Sequence, residues 1–114
     1  MNEIYPLIHM YQKLNQMTRE HKCSWEQSSE INSYYLQLQF SVIRIGEKEE
    51  LPSNDKTYTF QIIKDGEFEI NRKVDHSFSE EYNMLMSLYK SIQEYYLNNL
   101  QSVVSHVEDE LDKL

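Results

Sequence analysis

The chain has 114 residues, of which 39% are hydrophobic and 12% aromatic, and nineteen acids face eleven bases for a net charge of −8. That length supports one domain with one modest core, here residues 1–114 as a whole. The negative charge disfavours direct nucleic-acid binding, which rewards Lys and Arg, and no stretch approaches the ~20 apolar residues of a membrane span. A single cysteine, Cys23, cannot close an internal disulfide and suits a reducing compartment. The opening "MNEIYPLIHMYQK" lacks a basic start followed by a continuous apolar run, so the expected location is the cytoplasm. The chain has no Ala and is rich in Asn, Lys, Ile and Tyr, a composition typical of AT-rich coding sequences.

Residues 3–20 read as a helix. Ile4, Leu7, Ile8, Tyr11, Leu14 and Met17 recur at steps of three and four, with Pro6 tolerable in the first turn. A short strand over about 23–28 follows, with Cys23 and the only Trp, Trp25, on one face. From Tyr34 the residues alternate: Tyr34, Leu36, Leu38, Phe40 and Val42 share one face, while Ile43 and Ile45 fall on the other. This predicts one long strand over 34–45, with a bulge near Val42 or cover on both faces to explain the switch. "GEKEELPSND" reads as a charged loop. Strands over 56–63 and 67–72 follow, joined at Asp65-Gly66. A two-residue loop there would set Ile62 opposite Glu69. A three-residue loop over 64–66 keeps Ile62 opposite Phe68 and Phe60 opposite Ile70, so a type I turn with a bulge is expected.

The last element is the strongest. Ser77 and Glu80 fit a capping box, and eleven apolar residues from Phe78 to Leu114 recur at an average of 3.6 residues. A helix over 78–114 would run ~55 Å, longer than the ~33 Å of a ten-residue strand. Either it breaks near Asn98-Asn99, or its far third packs on helix 1, a second copy or another protein. Together these elements predict an α+β fold: an N-terminal helix, an antiparallel meander of three to four strands, and a long C-terminal helix packed on one sheet face.

Little in the chain points to chemistry. Two glycines, Gly46 and Gly66, cannot write a G-x-G-x-x-G or P-loop phosphate cradle, and no G-x-S-x-G elbow exists. His21 and Cys23 make two metal ligands, short of a zinc set. His106 and Glu110 lie one helical turn apart, ordinary for a solvated face. Cys23 reads as a small buried hydrophobe rather than a nucleophile. Acid pairs such as Glu49-Glu50 and Glu80-Glu81 are neighbours in sequence, do not converge, and read as surface. No catalytic, cofactor or metal residue is assigned, and the chain reads as a non-enzyme. Tyr35, Tyr95 and Tyr96 cannot all face one core, and Tyr is favoured at interfaces. The candidate partner-binding residues are therefore Tyr95, Tyr96, Leu100, Val103, Val107 and Leu111 along the last helix, with Glu47, Glu49 and Glu50 steering a basic partner.

The segment Trp25–Ile45, with its W-E-x-S-S and N-S-Y-x-L-x-L patterns, then Y-x-F-x-I and a Gly turn, resembles a set of uncharacterised small bacterial and phage proteins. The size, charge and layout also resemble small acidic phage proteins that inhibit bacterial defence nucleases. That likeness implies a small inhibitor, immunity factor or accessory subunit in a bacterial or phage conflict system, binding another protein. Two alternatives stand beside it. One is a structural homodimer paired through the last helix. The other is an acidic mimic of nucleic acid, with Glu47, Glu49, Glu50, Asp55, Glu67 and Glu69 presenting the charge.

Overall fold

A computed structural model describes residues 5–114. Its elements are α1 (Tyr5–Arg19), β1 (Glu26–Gln27), β2 (Ser33–Gln37), β3 (Val42–Glu50), β4 (Asp55–Lys64), β5 (Glu67–Val74) and α2 (Ser79–Asp112). The expected α+β layout holds, but the antiparallel meander has five strands in the order β1-β2-β3-β4-β5, not three or four. Positions 3 and 4 of the expected first helix lie outside the described residues.

The extra strand comes from the segment read as one strand over 34–45. The chain turns at Leu38–Ser41, where the Leu38 N–H donates to the Ser41 carbonyl at 2.8 Å. Gln37 then pairs with Val42, and Leu36 with Ile43. This reversal, rather than a bulge near Val42, moves the buried residues from even to odd numbers. Leu38 and Phe40 sit in the turn and are exposed. At the other end, most of the expected charged loop is strand: β3 runs through Glu50, and only Leu51–Asn54 turn. Asn54 closes that turn with a φ of 63°.

Asp65 and Gly66 both take positive φ, 53° and 77°, so the β4–β5 loop has two residues, with Lys64 paired to Glu67. That matches the twist of a tight hairpin and corrects the three-residue loop expected. The register conflict is resolved two residues further on. Ile63 faces Phe68 but Ile62 faces Ile70, so Glu69 is bulged out. Phe60 consequently faces Arg72 rather than Ile70.

Both helices cover one sheet face. Tyr34, Leu36, Ile43, Ile45, Tyr58, Phe60 and Val74 from that face are buried against Ile8, Tyr11, Leu14, Leu85, Leu88, Tyr89 and Ile92. The opposite face carries a polar row, Arg44–Gln61–Asn71, linked by side-chain hydrogen bonds of 3.5 and 3.1 Å, as expected for an antiparallel sheet with one solvated face. Helix α1 ends in a Schellman turn: His21 takes φ 60°, and the His21 and Lys22 N–H groups donate to the carbonyls of Thr18 and Met17. Trp25 is buried as a core anchor, as expected, though it precedes β1 rather than lying in it. Its indole N–H donates to Thr18 Oγ1 at 2.9 Å.

Glu81 departs most from expectation. Read as surface, it is fully buried. Arg72 of β5 donates to both of its oxygens, with Nε at 3.1 Å from Oε2, and the Tyr11 hydroxyl of α1 donates to Oε2 at 2.7 Å. Burial, then Glu81 beside it, push the Tyr11 phenol far above its ordinary range. The expected capping box does not form. Ser77 instead donates from its N–H and hydroxyl to Asp75 in an Asx turn, holding that carboxyl below its usual value.

Two expected outcomes follow. Arg72→Met leaves the Glu81 carboxylate buried without its cation and costs roughly 3 kcal/mol in urea unfolding. Gly66→Ala meets no steric neighbour within 4 Å, so its cost, about 1 kcal/mol by the same measurement, comes only from the positive φ.

Candidate docking surface

Helix α2 is continuous from Ser79 to Asp112, without a break at Asn98-Asn99. Its position on the sheet follows from three tyrosines at seven-residue spacing. Tyr82 packs on Tyr58, Tyr89 on Tyr58 and Tyr34, and Tyr96 on Tyr34, with ring centroids 5.4–5.8 Å apart. The Tyr96 hydroxyl donates to Gln27 on the edge strand β1 at 3.2 Å. Helix α2 therefore crosses the sheet from β4 and β5 towards β1. Helix α1 runs parallel beside it, joined by Asn15 Nδ2 to Ser87 Oγ at 3.0 Å and Arg19 Nε to Ser91 Oγ at 3.4 Å.

At Tyr96 the sheet ends and the helix does not. Every residue from Leu97 onward is exposed. The radius of gyration, 16.2 Å, exceeds the roughly 13 Å of a compact domain of this length because of this arm. Leu100, Val103, Val107 and Leu111 fall within an arc of about 80° at 3.6 residues per turn, and their exposures run from 47% to 59%. That arc continues the side on which Leu85, Tyr89, Ile92 and Tyr96 meet the sheet. The arm thus keeps presenting a core-type stripe after the surface it matches has run out. Asn98, Gln101, Ser105, Glu108 and Asp112 occupy the opposite side.

The candidate residues separate into three groups. Leu100, Val103, Val107 and Leu111 stand together on the arm, with Val104 beside them. Tyr95 and Tyr96 are half-buried at its root, Tyr95 against His21 and Tyr96 against Tyr34. They fix the arm rather than extend the free stripe. Tyr35 lies on the other sheet face and donates to Glu26 at 2.6 Å. The three acids are not loop residues. Glu47 accepts from the Tyr58 hydroxyl at 2.9 Å and pairs with Lys56 at 3.8 Å, Glu50 pairs with Lys73 at 3.8 Å, and Glu49 is exposed beside them in β3.

The acids suggested for mimicry do not form one row. Glu47, Glu49, Glu50 and Asp55 gather towards one end of β4, while Glu67 and Glu69 lie by the hairpin at its other end, Asp55 and the Glu67 partner Lys64 being nine residues or ~30 Å apart. Cys23 is buried, and burial raises its thiol pKa. His21 is exposed, and His106 and Glu110 lie on the exposed arm. Among the described residues no three His, Cys, Asp or Glu side chains converge as a metal set, and no helix is long and apolar enough to cross a membrane.

An open groove of about 440 Å³ between α1 and the sheet was not anticipated from the sequence. Met10, Met17 and Leu38 form its walls, and Leu14, Leu36 and Ile43 its floor. These residues come from α1, β2, β3 and the turn between the two strands, brought together only by folding.

Comparison with protein-family models, curated proteins and solved structures found no match, so the functional reading rests on geometry.

Because no residue beyond Tyr96 is buried, a chain ending at Gln101 should keep the full-length unfolding midpoint and near-ultraviolet circular dichroism at low micromolar concentration. The expected difference in stability is within about 0.5 kcal/mol.

Proposed function

We propose that this is a binding protein that acts by docking, as an inhibitor, immunity factor or accessory subunit does, and that the arm of α2 is its docking element. The observation that supports the reading is the exposed stripe Leu100–Val103–Val107–Leu111 on a helix still continuous past the sheet edge. Amphipathic helices recognise partners through such a stripe. An arm anchored by packed tyrosines loses little conformational freedom on binding, which favours affinity. The net charge of −8 makes the rate of approach to a charged partner sensitive to salt. The separation of the acidic residues into two groups favours helix docking over imitation of a nucleic-acid backbone.

The test is a photo-crosslinking residue at position 104 in cells that make the protein naturally. A discrete protein adduct, to a second copy or to another protein, is the expected result. Adducts from position 63 on the open sheet face, with none from 104, would overturn the assignment of the docking element.

A further inference from the structure

We infer that the occupant of the arm is a second copy of the chain, its own arm laid antiparallel across the first. This rests on the docking reading above and names the partner. Three features of the arm carry it. The stripe is close to symmetric about its midpoint. With Val103 set against Val104 of the second copy, Leu100 falls opposite Val107, and Leu111 reaches Tyr96 at the root. Each apolar residue of the stripe itself therefore meets an apolar residue, which self-complementary pairing requires.

The second feature is charge. The outer half of the arm carries Glu108, Asp109, Glu110 and Asp112, and the inner half carries Asn98, Asn99, Gln101 and Ser102. An antiparallel pair sets each acidic half alongside a half that carries no acid, which limits repulsion between the two arms. A parallel pair would set the two acidic halves together and bring the folded bodies side by side, in chains that each carry a net charge of −8. Antiparallel packing places those bodies at opposite ends.

The third feature is area. Six half-exposed apolar side chains, Leu97 to Leu111, offer at most roughly 500 Å² per copy, so the pair buries at most on the order of 1,000 Å², the lower edge of a specific interface. Dissociation in the micromolar range is the corresponding expectation.

Light scattering on the full-length protein from low to high micromolar concentration should show mass rising from 13.8 kDa towards twice that value. Val103→Lys sets two cations near the symmetry axis and should hold the mass at one copy, with an unchanged circular dichroism spectrum. Direction is tested by oxidising mixtures of Leu100→Cys and Val107→Cys chains of different tag length. Mixed links with few self-links support the antiparallel pair, whereas predominant 100-to-100 links overturn it. A monomer at every concentration overturns the inference. If position 104 then crosslinks to a different protein in cells, the docking reading stands without it. If position 104 gives no adduct, both fall.

Discussion

A fully buried carboxylate holds this fold at the junction of three elements. Glu81 on α2 receives both Arg72 donors from β5 and the Tyr11 hydroxyl from α1. A carboxylate taken out of water costs several kcal/mol unless its oxygens are satisfied by charge and hydrogen bonds. The three elements must therefore meet in one arrangement or leave that charge unpaired. Arg72 also reaches over the Phe78 ring, 5.9 Å from its centroid, one residue before α2 begins. The start of α2 is thus fixed to the last strand, and from there the direction of a continuous helix decides where its end emerges.

The tyrosines carry that direction across the sheet. Tyr82, Tyr89 and Tyr96 rest on Tyr58 and Tyr34 of the strands. Packed aromatic pairs of this kind add about 1 kcal/mol each beyond the area they bury. Burial raises the phenols of Tyr34, Tyr58 and Tyr89, and Glu47 raises them further. They remain neutral, and so compatible with a core, at any physiological pH. Cation and carboxylate at one end, and phenol rings along the length, turn α2 into a stiff lever. Its supported part ends at Tyr96, and the exposed stripe lies beyond.

Much of this was legible in the sequence, for physical reasons. The 3.6-residue recurrence from Phe78 to Leu114 shows a long helical segment, and its length against any strand shows that it must either break or overhang; that it does not break at Asn98-Asn99 comes from the structure. Trp25 and Cys23 were readable as core. The break between β2 and β3 was not, because Leu38 and Phe40 continue the alternation straight through a turn that contains neither Gly nor Pro. The Asp65-Gly66 loop was misjudged because the register conflict is absorbed by the bulge at Glu69 instead of by the turn itself. Glu81 looked like one of two adjacent helical acids. Nothing local marks it out, since its partners lie 9 and 70 residues away. The acids of β3 were mistaken for loop for a related reason: strand β4, which pairs them, gives no sign of itself until Asp55.

Residue-resolved hydrogen exchange along α2, at low and at high protein concentration, tests the central claim that one rigid helix carries a docking stripe past the sheet. Slow exchange from Tyr82 to Tyr96 at both concentrations, with protection spreading through Val107 as concentration rises, is the result this account predicts. Exchange at unfolded-chain rates immediately beyond Tyr96 at every concentration would contradict it, because the arm would then be neither rigid nor covered.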